Sequence, residues 1–324
     1  MSEITLTIGH VARHTPKGAG AQGRDAALVD IGQDLLLRHL HGEGILEPLA
    51  FKGGTSLRKL YAGNAGRFSL DLDFASVAVG LDPEGVLLDL IAAVEGTEIG
   101  PFRYGVEERR GKWALTFDHD FGGSGVGLSS KLDLNPPPWL PTVRRGWQPL
   151  PVHSQYGLPE LPELQIVRLE ENLAEKVARL NRATPARDMY DLRWVMTHAS
   201  RTGVLDRSLL RRLAVLKIWV DANGVHAGDT FWKPGHEGPA FDPERWLRDR
   251  SADDEFDEED IGALAVPIPT ATELSEALRS HFGFLGDLDE HERVVALARE
   301  QDRALALHLL SELPGGRLRE AGLY

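Results

Sequence analysis

Two kinds of hydrophobic pattern follow one another along the chain. Residues 25–41, DAALVDIGQDLLLRHLH, place apolar side chains at helical spacing, with Asp25 as the expected N-cap. A short apolar run, ILEPLAF, leads into Gly53 and Gly54 and then into the helical pattern SLRKLY. After the turn-like AGNAG comes RFSLDLDFA, in which Phe68, Leu70, Leu72 and Phe74 alternate with Ser69, Asp71 and Asp73. Such alternation predicts a strand with one apolar and one polar face. Residues 83–96 predict a helix, residues 102–120 a hairpin turning at Arg110-Gly111, and residues 126–135 a strand ended by three prolines.

The proline-rich stretch from 136 to about 162 reads as a domain boundary. Beyond it the pattern is helical, over 167–182, 187–199, 206–220, 271–283 and 288–312. The expectation is an α+β protein, with a mixed α/β domain over 1–145 and a helical domain over 163–324. The first 24 residues read as irregular. Within them Gly18, Gly20 and Gly23 fit G-x-G-x-x-G, a pattern that binds dinucleotides only between a strand and a helix. The preceding TIGHVARHTPK does not supply that strand, so a mobile loop is expected instead.

Composition narrows the classes. With 324 residues, 42 % of them hydrophobic, the chain can bury a real core, for two domains or one large one. It has no cysteine, which excludes disulfides, thiolate metal sites and cysteine nucleophiles. No apolar run approaches the roughly 18–20 residues needed to span a bilayer. The N-terminus lacks the basic start and apolar stretch of a signal peptide, so a cytoplasmic protein without a membrane partner is expected. A net charge of −13 argues against coating nucleic acid through bulk charge. A local basic face remains compatible with it. Arg179, Arg182, Arg187, Arg193, Arg207, Arg211, Arg212 and Lys217 cluster in the helical half. The acidic run at 252–262 reads as a solvated loop.

The chemistry centres on residues 52–74. On a strand, Asp71 and Asp73 would share a face and repel unless a cation neutralises them. Mg²⁺, with Mn²⁺ as an alternative, takes oxygen ligands from carboxylates and substrate phosphates. Asp133 in KLDLN alternates with leucines in the same way and is the expected third carboxylate, a metal ligand and acceptor of a hydroxyl proton. Asp118 and Asp120 compete for that place, although they stand just before GGSG, where a turn is expected. Upstream, Gly53 and Gly54 would let a phosphate approach the amides opening a helix, with Thr55 and Ser56 adding hydroxyls. The Walker pattern is absent. Arg58, Lys59 and Arg67 offer positive charge for a triphosphate.

GGTSL followed by SLDLDF resembles the nucleotidyltransferase toxins of the AbiEii/AbiGii family, which belong to type IV toxin–antitoxin and abortive-infection systems. EENLAEKVARLNRATPARDMYDL, residues 170–192, is similar to that family's later motif, an E-K pair on a helix followed by R-D-x-x-D-L. The resemblance covers roughly residues 45–200. It implies a polymerase-β-like nucleotidyltransferase fold followed by a helical domain that completes the active site. It further implies transfer of a nucleoside monophosphate from an NTP, with tRNA modified at its 3′ end as acceptor and a cognate antitoxin as partner. Lys176 and Asp191 are then expected in the active site, with Lys176 on the triphosphate and Arg187 and Asp188 in support. Ser69 becomes a nucleotide-side residue where a covalent modification would clash with metal or triphosphate. The family signature in its simplest form is Gly-Ser, so whether Thr55 or Ser56 makes the contact stays open. Competing readings are transfer to a protein hydroxyl or a small molecule, and a non-catalytic nucleotide-binding module.

Overall fold

The computed structural model describes all residues except 1–2, 18–19, 78–81, 123–127, 158–160, 183–185, 204, 224–239, 244–260, 265–266 and 316–324. The chain divides into two compact units. The first comprises Met1–Pro137, Thr142–Ile166 and Gly262–Pro267, and the second Pro138–Pro141, Val167–Ile261 and Ile268–Tyr324.

The first unit is built on one mixed sheet. Its strands are β1 (Leu49–Lys52), β2 (Leu72–Ser76), β3 (Glu98–Ile99), β4 (Phe102–Arg109), β5 (Lys112–His119), β6 (Leu128–Asn135), β7 (Val143–Arg145) and β8 (Leu164–Ile166), in the order β3-β4-β5-β6-β2-β1-β8-β7. Pairs β2–β6 and β1–β8 are parallel and the rest antiparallel. Among its helices are α1 (Ile8–His14), α2 (Gly20–Gly42), α3 (Gly53–Leu57) and α4 (Pro83–Val94). One face of the sheet carries Phe51, Leu72, Phe74, Leu115, Phe117 and Leu132, all buried. Helix α2 packs on that face. Gln33 donates to the Ser130 hydroxyl at 3.0 Å, and the Tyr104 hydroxyl donates to the Gly32 carbonyl at 2.8 Å. Each such buried leucine or phenylalanine contributes about 1.5–3 kcal/mol.

The second unit is helical over the described residues, with α5 (Leu169–Leu180), α6 (Ala186–Thr197), α7 (Ala199–Thr202), α8 (Arg207–Asn223) and further helices at Ala271–Phe282, Glu290–Val295 and Arg303–Ser311. Helix α5 packs against α8, and α6 against Ala271–Phe282.

Four expectations change. The first 24 residues are not a loop, because they hold α1 and the start of α2. Gly20 and Gly23 lie in α2, Gly18 is outside the described residues, and the preceding described element is a helix rather than the strand a dinucleotide turn requires. The proline-rich stretch carries β7, is followed at once by β8, and is no linker, while Gly262–Pro267 returns to the first unit. The helix expected over 288–312 is interrupted at Ala298, whose φ is +53°. There the side chains of α8 take the carbonyls that a continuous helix would use. Asn223 donates to Ala298 at 3.0 Å and Trp219 to Arg299 at 3.3 Å. Most of the acidic run, residues 252–260, lies outside the described residues.

Candidate active site

Strand pairing sets two of the three expected carboxylates side by side. Asp73 of β2 is the register partner of Asp133 in parallel β6, and Lys52 of antiparallel β1 is the partner of Asp73 on its other side. Register partners share a face. Lys52, Asp73 and Asp133 therefore form a row across three strands, on the face turned away from α2. Lys131, two residues before Asp133 and on the same face, forms an ion pair with it. Neighbouring strands are about 4.8 Å apart. At that spacing two carboxylates repel by about 3 kcal/mol at an effective dielectric constant of 20. The row thus needs cations: Lys52 stands at its β1 end, and Lys131 meets Asp133 from two residues along β6.

Asp71 stands outside this row, because β2 begins only at Leu72. The alternation read from Phe68 to Phe74 fails at Leu70, which is 49 % exposed. Side chains take the carbonyls that strand pairing would have used. Gln33, at 3.0 Å, and the Ser130 hydroxyl donate to Leu70, and the Thr55 hydroxyl donates to Asp71. Asp118 lies in β5 and Asp120 in the turn after it, paired with Arg103 at 3.6 Å. Neither joins the row.

The glycine turn fits around these groups. Gly53 has φ +75°, and a Cβ there would overlap Oδ2 of Asp73. A Cβ at Gly54 would overlap the Arg67 guanidinium and lie 3.1 Å from the Ser69 hydroxyl oxygen. Arg67 and Ser69 thus stand against the turn, both buried. Thr55 and Ser56 spend their hydroxyls on backbone, Thr55 on Asp71 and Ser56 on Gly53 at 3.0 Å, which brace the turn rather than face a ligand.

Lys59 does not belong with the phosphate-binding residues. It is 3 % exposed, and its ammonium donates to the Asp30 carbonyl at 2.9 Å, Asp30 Oδ1 at 3.0 Å and Asp34 Oδ1 at 2.7 Å. All three N–H groups are used. Arg58 likewise turns inward, donating to Asp30 at 3.1 Å and to the Gly66 carbonyl at 3.0 Å. The π-helical turn Arg58–Ala62 directs both cations towards α2. Burial alone would raise the Asp30 carboxyl, but Arg58 and Lys59 hold it well below the usual range. Asp34 is lowered from 3.8 to about 2, as Lys59 and the nearby His153 ring, 3.3 Å away, outweigh its burial. Trp147 and Tyr156 also donate to Asp34, at 3.1 and 2.8 Å.

In the second unit the later motif forms a buried ion-pair cluster. Lys176 of α5 meets Asp188 and Asp191 of α6, each at 2.9 Å, and Arg179 reaches Asp188 at 3.3 Å. Arg187 is exposed. Glu171, fully buried, accepts from the backbone N–H groups of Trp139 and Leu140 at 2.8 and 2.9 Å. Lys217 pairs with Glu171 at 2.8 Å and lies over the Trp139 ring at 3.9 Å. Burial alone would lower the Lys217 ammonium, but Glu171 and Glu175 raise it. The basic run expected to form an open face is largely paired. Arg182 meets Asp221 at 3.0 Å, Arg211 meets Glu292 at 2.8 Å, and Arg212 meets Asp289 and Glu312 at 3.0 Å.

Residues 35–299 match the sequence model of the nucleotidyl transferase AbiEii toxins of type IV toxin–antitoxin systems. The chain belongs to this family. Among solved structures, it is similar to MenT4, a nucleotidyltransferase toxin from Mycobacterium tuberculosis H37Rv, at 35 % identity and a TM-score of 0.78. That match covers 95 % of this chain and 99 % of the other. JHP933 from Helicobacter pylori matches at 16 % identity and a TM-score of 0.35, over 78 % of this chain and 94 % of that one. No curated protein sequence matches. The α+β architecture is thus that of a nucleotidyltransferase toxin, and family membership brings an NTP substrate and an antitoxin partner with it. Among the described residues no helix is long and apolar enough to cross a membrane.

In this AbiEii-family chain, the described residues include no ready-made cluster of three His, Asp or Glu side chains for a metal. The paired carboxylates of Asp73 and Asp133 nevertheless offer the hard oxygen donors that suit Mg²⁺, which commonly takes one or two carboxylates and completes its shell with water and substrate phosphate. Sequence reasoning missed Lys52 at one end of the row and Lys131 beside Asp133. It also missed Asp30 and Asp34, although two carboxylates four apart within an apolar helix signal buried partners.

Proposed function

We propose that this chain transfers a nucleoside monophosphate from an NTP to an RNA acceptor, the 3′ end of tRNA, and so blocks translation. The observation that carries the chemistry is the row Lys52–Asp73–Asp133 beside the Gly53–Gly54 turn. Asp73 and Asp133, with Asp71 ahead of them, would hold Mg²⁺, which lowers the charge on the reacting phosphate when bound. Gly53 and Gly54 admit the triphosphate to the turn, and Arg67 beside Gly54 neutralises it. Asp133 accepts the proton of the attacking hydroxyl. The new bond joins the acceptor oxygen to the α-phosphorus, the bond to the β-phosphate breaks, and pyrophosphate leaves. Lys176 and Asp191 are carried into this reading by the family motif alone.

Labelled NTPs, Mg²⁺ and total tRNA test this reading. Label enters tRNA with the wild type and not with Asp73→Ala or Asp71→Ala. A second reading, transfer to a protein hydroxyl or small molecule, draws support from the pairing of Arg182, Arg211, Arg212 and Lys217 with carboxylates, which leaves fewer open cations for RNA among the described residues of the helical unit. Label in protein rather than tRNA would favour it. Nucleotide binding with no transfer at all would leave a binding module.

A further inference from the structure

Phe68 is a junction for parts of the chain outside the matched motifs. Its ring takes the Arg58 guanidinium over one face at 3.9 Å and packs T-shaped with the His14 ring, centres 5.5 Å apart. His14 belongs to α1, and its Nε2 lies 2.8 Å from Asp30, the carboxylate that also holds Arg58. The backbone N–H of Phe68 donates to the carbonyl of Ala263 at 2.9 Å. Ala263 lies in Gly262–Pro267, the segment with which the chain returns to the first unit. Gly262 has φ +102°, and a Cβ there would sit 2.5 Å from the Phe68 carbonyl oxygen and 3.7 Å from Nη1 of Arg67. Arg67 Nη1 itself donates to that same carbonyl at 3.4 Å.

We propose that Gly262 and Ala263 are positioning residues for nucleotide binding, acting through Arg67. Together with His14 and Arg58 they fix the backbone and ring of Phe68. The guanidinium of Arg67 is thereby held against Gly54, where the triphosphate enters. An arginine fixed before binding loses little side-chain freedom when its ligand arrives, so the strap raises affinity without touching the nucleotide. Only glycine serves at 262, because any side chain would push the strap off the Phe68 carbonyl on a backbone that already disfavours it. The inference rests on the reading of Arg67 as a phosphate ligand.

The test titrates the full-length protein with each of the four α,β-methylene NTP analogues in Mg²⁺, alongside kcat and KM for the NTPs. Arg67→Ala is expected to weaken the tightest analogue about tenfold. Gly262→Ala is expected to weaken it comparably, raising KM with kcat within about twofold, and the double variant is expected to bind no worse than either single one. Phe68→Leu, which keeps apolar volume and loses the ring, gives the same non-additivity should Gly262→Ala not fold. If Arg67→Ala binds as the wild type does, the phosphate reading of Arg67 fails and the strap's role with it. If Arg67→Ala weakens binding but the strap variants do not, or if their effects add to it, the positioning role alone is overturned. A fall in kcat with KM unchanged also overturns it.

Discussion

A methyl group at position 53 would occupy the space of Asp73 Oδ2, on a backbone already at φ +75°. Gly53→Ala is therefore expected to displace the carboxylate and to cost about 1–2 kcal/mol of stability. Nucleotide transfer should fall by at least about a hundredfold, as expected when a group serving the transition state moves. Transfer assays paired with thermal unfolding check both. Asp73→Asn and Asp133→Asn should separate the two effects. Each removes one of two adjacent like charges, so transfer should collapse while the unfolding temperature holds or rises. A drop of several degrees in both variants would make the carboxylates part of the scaffold instead.

At the scale of elements, α2 and the π-helical turn after α3 are joined by buried charge. Lys59 sits between Asp30 and Asp34, each 1 % exposed at its side chain. Lys59→Met leaves two buried carboxylates short of a cation and should cost about 3–5 kcal/mol. A phosphate ligand at the surface would show a raised KM with unchanged stability, so urea unfolding distinguishes the roles. The same pair makes stability depend on acid. Asp34 is lowered from 3.8 to about 2 in the folded chain, so its contribution is present above about pH 4 and is lost as pH falls towards 2. The loss amounts to about 2 kcal/mol, and Asp30, held well below its usual value, adds to it in the same direction. Unfolding followed from pH 5 to pH 2 should show a shallower acid limb for Asp34→Asn than for the wild type; equal slopes would overturn the assignment. Local periodicity made the helices from 83 to 223 legible, and Arg110-Gly111, both at positive φ, marked the β4–β5 turn correctly. What lay beyond it was non-local. Nothing near Lys59 in the chain distinguishes it from an exposed helix lysine. The register that pairs Asp73 with Asp133 joins strands about sixty residues apart in the chain. Ala298 breaks its helix because Trp219 and Asn223 reach the carbonyls there.

Across the whole molecule, charge decides how an RNA acceptor would be held. The net charge is −13, and in the helical unit Arg182, Arg211, Arg212 and Lys217 meet carboxylates. A cation already paired in the folded chain displaces few counterions when it meets a phosphate, since it must first give up its partner. Binding that neutralises Z phosphates weakens with a slope of about −0.9Z in log salt on duplexes and −0.7Z on single strands. For this chain the slope for tRNA should be shallower than about −3, corresponding to three or four phosphates. Specificity would then come from the few groups lining the site rather than from a broad basic surface. Measuring tRNA affinity of the wild type between 50 and 200 mM salt settles the point. A slope steeper than about −5 would require more phosphate-binding cations than these ion pairs leave among the described residues of the helical unit, and would overturn this view of acceptor binding.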